Sequence, residues 1–273
     1  NGSDISFFDA TVSSGGGLAS LYFDGVDDYV TVQREVQDDF TLQAWVKTET
    51  SRSGSMFYQG LGIVYADFPS RAYDFGTSIL NGKFSFGTGF SDETIQSTTS
   101  IDNNQWNHVV ATREKSTGII SVYVNGTLEE SLATGNSQSL TSQSILYIGA
   151  NKLDGRHFKG GLREVAVWTS LISSDGVAAL YNSGTPLNLL SDVGNYVSSS
   201  SLQGYWKFRR DNLALYVAGS FRCQIYPSKK REMPCPKCNA KKQWKKLSLK
   251  MSPSIDFILV RDFGLIGREA EAL

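Results

Sequence analysis

LYFDGVDDYVTVQREVQDDFTLQAWV, residues 21–46, is the stretch whose reading decides the fold. In its second half Phe40, Leu42, Ala44 and Val46 alternate with Thr41, Gln43 and Trp45, the period of two expected of a strand with one face in a core. Its first half is two short β-rich runs, LYF and YVTV, separated by an acidic Asp-Gly turn. Trp45 falls on the polar parity, so it must face a second layer or lie under a loop.

The same pattern continues outward. Residues 73–80 and 83–87 flank Asn81-Gly82, and residues 119–124 and 127–132 flank Asn125-Gly126. Both dipeptides favour two-residue hairpin turns. Residues 108–113, 145–149 and 162–168 supply further strands rich in β-branched and aromatic residues. Only one helix is expected. Ser173, Ser174 and Asp175 offer N-caps, Val177, Leu180 and Tyr181 form a stripe, and Gly184 with Pro186 ends it. The pattern predicts an all-β, two-sheet antiparallel jelly-roll sandwich with one short helix as a cover.

Composition is that of an ordinary globular chain, 40% apolar and 12% aromatic, with 26 glycines for turns. No run of about 18 apolar residues encodes a transmembrane helix. The opening NGSDISFF shows neither a basic nor an apolar leader region, and reads as a mature form or a fragment. Charge is split sharply. Residues 1–208 carry 12 Lys and Arg against 21 Asp and Glu, a net of −9, whereas residues 209–250 carry 12 against two, a net of +10. All three cysteines, Cys223, Cys235 and Cys238, lie in the basic part, so the sandwich must rest on its core alone. Residues 209–273 therefore read as an irregular basic tail of different origin from the rest.

Five blocks now stand in order: FDGVDDYV (23–30), FTLQAWV (40–46), WNHVVATREKSTGIISVYVNG (106–126), LYIGA (146–150) and FKGGLREVAVWTSLISSDGVAALYNSG (158–184). Their succession resembles the laminin-G-like, concanavalin-A-type jelly-roll domains of bacterial and viral proteins, over residues 1–190. SSSSLQGYWKF (198–208) resembles the strand with which such domains begin. Residues 191–208 thus read either as the start of a truncated second repeat or as a strand that completes the first domain.

The resemblance implies a structural calcium site, held by acidic residues at the first turn and an Asp in a late strand. Asp24, Asp27 and Asp28 supply the first part. Arg163 stands where the late Asp is expected and repels a cation; it can pair with Asp24 or Asp27 instead. A solvated, carboxylate-capped turn is the alternative. His108 and His157 read as structural and loop residues. Trp45, Trp168 and Tyr58 read as core unless a sugar stacks on them. The segment QGLGIVYADFPSRAYDFG (59–76) concentrates Tyr65, Asp67, Phe68, Arg71, Tyr73 and Asp74, and is the expected ligand surface. Cys235-Pro236-Lys237-Cys238 with Cys223 supplies only three thiolates, a weak zinc site, since a closed site takes four ligands. KKQWKK (241–246) is a basic run whose contact with nucleic acid has no further support.

Glucanases of the same fold need an E-x-D-x-x-E run that puts carboxylates on one strand face, and none is present. The expected function is a non-catalytic carbohydrate-binding or adhesion module of a larger extracellular, cell-surface or phage structural protein. Its expected partners are a glycan or glycoprotein and neighbouring domains. A purely structural domain of a tandem array is the alternative.

Overall fold

The computed structural model describes residues 3–8, 11–13, 20–66, 72–89, 92–142, 144–151, 155–207 and 221–223. The strands in chain order are β1 (Ser3–Phe8), β2 (Thr11–Ser13), β3 (Ser20–Asp24), β4 (Tyr29–Gln33), β5 (Phe40–Lys47) and β6 (Leu61–Tyr65). Then follow β7 (Phe75–Leu80), β8 (Lys83–Thr88), β9 (Glu93–Ser100), β10 (Asn107–Glu114), β11 (Ile119–Val124) and β12 (Thr127–Ala133). Last come β13 (Ile145–Ile148), β14 (Ala150–Asn151), β15 (Arg156–His157), β16 (Lys159–Trp168), helix α1 (Ser174–Tyr181), β17 (Leu202–Trp206) and β18 (Phe221–Cys223).

Two sheets form the sandwich. One runs β18-β1-β4-β13-β6-β7-β8-β9, and the other runs β12-β11-β10-β5-β16-β3-β2 with β17 also on β16. Pairing is antiparallel except that β18 lies parallel to β1. The basic tail, expected to be irregular, thus contributes one short strand to a sheet edge, where unpaired backbone groups offer it partners.

Turn chemistry fixes the hairpins. Asn81 and Gly82 have φ of 56° and 78°, and Asn125 and Gly126 have 50° and 83°, the positive pair that a tight hairpin requires. Between the sheets, Leu42, Ala44 and Val46 of β5 join one large apolar core with Phe23, Ile63, Phe86 and Trp206. The Phe40 and Phe75 rings meet at 4.6 Å between centroids.

The sequence pattern gave β5 one buried face; the structure buries both. Helix α1 and the segment after it cover the outer face with a second apolar cluster that includes Val110, Trp168, Val177, Leu180 and Tyr205. The cover begins where the Ser173 hydroxyl accepts from the Gly176 amide, and ends at Asn182 with φ of 44°. Under it, buried Thr41 and Gln43 are hydrogen-bonded. Thr41 Oγ1 donates to the Ser170 carbonyl at 2.8 Å and accepts from the Ile172 amide at 3.0 Å. Gln43 Nε2 donates to the Glu164 carbonyl at 3.2 Å.

Strand β16 is the keel of this sheet. Its residues 159–162 pair with β3 and residues 165–168 pair with β17, so two strands from opposite ends of the domain share one edge. On the other edge Arg163 faces Trp45, yet Ala166 faces Gln43, a register shift that marks a bulge. Glu164 sits in that bulge with φ of 50°. Its buried carboxylate accepts the Tyr205 hydroxyl and lies 3.9 Å from the Lys207 ammonium. The GYW segment lies in β17, paired with β16.

Candidate functional site

The bulge decides which side chains reach the outer face. Upstream of it, Gly161 lies between Tyr22 of β3 and Lys47 of β5, and Arg163 lies beside Trp45, which in turn lies beside His108 of β10. Gly161 leaves a gap in this surface, and Trp106, just ahead of β10, lies over it: a Cβ on Gly161 would stand 2.9 Å from the indole. Gly160 is equally constrained, with φ of 139° and a would-be Cβ 2.2 Å from the Lys47 carbonyl oxygen. The result is a cleft of about 500 Å3 with a floor free of side chains, lined by Tyr22, Lys47, Asn104, Trp106 and Lys159. Thr48 Oγ1 donates to the Lys159 carbonyl at 2.7 Å and ties the two rims together.

Arg163 is the unusual member. Its guanidinium carbon lies 4.1 Å from the Trp106 ring centre and 5.2 Å from that of Trp45, and the residue is 6% exposed. Its Nε is buried without an acceptor, and no ion pair or hydrogen bond to the guanidinium exists among the described residues. Burial lowers its pKa, with Glu164 opposing. Cation–π stacking contributes about 0.5–2 kcal/mol per ring. Removing a charge from water costs several kcal/mol. The two rings together thus contribute about 1–4 kcal/mol toward the cost of withdrawing the guanidinium from water.

A larger and shallower hollow of about 790 Å3 runs past Arg34, Asp38 and Lys115. Most of its charges are already engaged. The Lys115 ammonium is 3.0 Å from Asp38 Oδ1, which also accepts the Ser139 hydroxyl at 2.6 Å, and the Arg34 guanidinium donates to the Val36 carbonyl. No aromatic side chain lines it. The smaller cleft has the better chemistry.

The residues singled out from the sequence are scattered. Asp24, Asp27 and Asp28 do converge, with carboxylate oxygens within 4.8 Å of one another. Asp24 Oδ1 accepts the Val26 amide at 2.7 Å and Asp28 Oδ2 accepts the Asp24 amide at 2.8 Å, so part of the cluster caps its own turn. Lys159, not Arg163, stands opposite Asp24, which corrects the expected ion pair: the register carries Arg163 to Trp45. His157 packs near the turn, its Nδ1 3.4 Å from the Asp28 carbonyl oxygen. His108 is wholly buried and stacks with Trp45 at 5.2 Å and Tyr181 at 6.1 Å. Burial drives its pKa down to about 3. Trp168 is buried and donates to the Tyr196 hydroxyl at 3.1 Å, and Tyr58 is half-buried.

Of the described candidate residues in the expected ligand segment, Tyr73 alone is partly open to solvent. Tyr65 and Asp74 are buried and Tyr73 packs half-buried on the core. The Tyr65 ring occupies the space above Gly76, where a Cβ would lie 2.4 Å from it. Asp67, Phe68 and Arg71 lie outside the described residues, as do Cys235 and Cys238; Cys223 is in β18. Trp106, Tyr22 and Lys47 were not marked as site residues by the sequence reading. The signal present was the Gly160-Gly161 pair opposite an aromatic just ahead of a strand.

A two-sheet sandwich with a helix-covered outer face is the architecture of lectin-type jelly-roll domains. Residues 23–178 match the laminin-G-type family model described as the concanavalin A-like lectin/glucanases superfamily, and the chain belongs to that family. Comparison with curated protein sequences finds no match. Among solved structures, the binding domain of paraclostridial mosquitocidal protein 1 is 15% identical with a TM-score of 0.50, covering 66% of this chain and 47% of that one. A botulinum neurotoxin type C structure, titled for cell entry through two ganglioside molecules, is 14% identical with a TM-score of 0.52, covering 70% and 48%. The binding domain of botulinum neurotoxin DC, in complex with rat synaptotagmin II, is 13% identical with a TM-score of 0.51, covering 67% and 47%. This chain spans about half the length of each. The likeness is one of fold.

Proposed function

We propose that the chain is a non-catalytic carbohydrate-binding or adhesion module of a larger extracellular, cell-surface or virion protein, with its saccharide in the outer-face cleft. The observation that carries this reading is Trp106, half-exposed over a glycine floor with Tyr22, Lys47 and Asn104 around it. An aromatic ring gives a sugar a stacking face, and the polar rim fixes its orientation. Family membership and the binding-domain neighbours support the module reading. The partner is a glycan or glycoprotein, and neighbouring domains of the same protein flank the module.

One observation favours a purely structural domain instead: Trp45, Trp168 and Tyr65 are all buried. A glycan array probed with the chain and with Trp106→Ala separates the two. Binding that is lost in Trp106→Ala, with an unchanged melting temperature, supports the module. No binding to any saccharide supports the scaffold.

The acidic turn is proposed as a calcium site of secondary importance. Its donors are hard oxygens, as Ca²⁺ takes, and three carboxylates this close repel one another until a cation neutralises them. Asp24, Asp27 and Asp28 would hold it, and it would stiffen the turn between β3 and β4.

A further inference from the structure

We infer that the outer-face cleft selects anionic saccharides, carboxylated or sulfated, and that Arg163 sets this selectivity; the inference rests on the glycan-binding reading above and names its ligand class. Two cations, Lys47 and Lys159, line the cleft against one carboxylate, Glu49, and a third, Arg163, lies behind the Trp106 ring that faces it. Among the described residues neither lysine has an ion pair. The local charge is positive on a domain whose first 208 residues carry a net of −9.

The stack sharpens the choice. A neutral sugar binds an indole through C–H groups that seek the negative face of the ring. Here a guanidinium lies 4.1 Å from the centre of the Trp106 ring and draws on that same negative charge. Trp106 therefore offers a neutral sugar a poorer platform, and an acidic one a cation-backed surface. The guanidinium is also a planar fork suited to a carboxylate or sulfate, and its buried Nε has no acceptor among the described residues. A donor held in place and largely withdrawn from solvent gives the anion more than a fully solvated lysine can. Arg163 lies two residues along β16 from Gly161, on the same face, so the missing side chain at 161 makes room for the Trp106 ring to lie against the guanidinium.

The test is calorimetric titration of the full chain with trigalacturonate, whose charges are carboxylates, with sucrose octasulfate, whose charges are sulfates, and with neutral cellotetraose. We expect at least one acidic ligand to bind and cellotetraose to bind about tenfold more weakly or not at all. Arg163→Met should weaken the acidic ligand about ten- to a hundredfold, the range of one charge-assisted hydrogen bond. It should leave the melting temperature unchanged or higher, since it removes an unpartnered buried charge and keeps the packing. Arg163→Lys should recover part of the affinity, and Lys47→Gln should lower it without touching the stack. Equal binding of cellotetraose, or an Arg163→Met that keeps full acidic affinity, overturns the ligand class and leaves the glycan reading standing. A lowered melting temperature in Arg163→Met makes the residue structural. Failure of every saccharide, neutral ones included, overturns the glycan reading and this inference with it.

Discussion

Acidification should loosen the helical cover of the outer face through His108. The imidazole is fully buried in a cluster of three rings with Trp45 and Tyr181, and neither ring nitrogen has a partner among the described residues. Burial holds its folded pKa at about 3 against an ordinary value of 6.5. A base whose folded pKa is depressed favours the folded state fully above the unfolded pKa, and loses that advantage as pH falls below it. Each pH unit between about 6.5 and about 3 costs ~1.4 kcal/mol. Going from pH 7.5 to pH 5 should thus remove about 2 kcal/mol through this residue alone, and acidification below its folded pKa about 5 kcal/mol in all. Asp38 and Glu129, whose pKa values are lowered by hydrogen bonds, also lose stabilisation at low pH, so a control is needed. His108→Phe keeps an aromatic ring in the stack and cannot protonate. Urea unfolding of both proteins, followed by tryptophan fluorescence at pH 7.5 and pH 5, isolates the difference. If His108→Phe loses as much stability as the wild type over that interval, the buried imidazole is not what couples this fold to pH.

Other expectations follow from single contacts. Trp206→Ala should cost about 3–5 kcal/mol in urea unfolding, because the indole is 3% exposed within the inner core; a loss below about 1 would place β17 outside the cooperative unit. Calcium at 10 mM should raise stability by about 1.4–2.7 kcal/mol if the acidic turn binds with the affinity of extracellular modules, and Asp27→Asn should abolish the rise; an unchanged melting temperature would leave the three carboxylates as turn caps alone. Gly161→Ala should displace the Trp106 ring, read as a shift in indole emission, and weaken any saccharide at the cleft while the domain stays folded. Ser173→Ala should cost about 1 kcal/mol by removing the cap of α1.

What the sequence revealed and what it withheld divide by the range of the interaction. Asn81-Gly82, Asn125-Gly126 and Ser173 act on their immediate neighbours, and each turn and cap they imply is in place. The alternation in β5 located its inner face, but composition along one strand does not say that a helix about 130 residues later will cover the outer one. The site was obscured for the same reason. Tyr22, Lys47, Trp106 and Arg163 meet only because the register of β3, β5 and β16 sets them side by side, and one bulge residue at Glu164 decides which of the late-strand residues faces outward. A local count of aromatic and charged residues pointed instead to 59–76, where Tyr65 and Asp74 serve the interior.

The shared edge of β16 has a consequence for how the chain comes to be folded. Residues 165–168 have their place in the sheet well before Leu202–Trp206 exist to lie beside them. During synthesis the domain therefore passes through an interval with a short open edge and a vacant slot for the Trp206 ring. Any strand of like pattern can enter such a slot, including the same segment of a second chain, and exchange of an identical element is a low-cost route to a dimer. Rapid delivery of β17, more than the strength of the sixteen strands before it, then determines how much of the protein emerges as single, closed sandwiches.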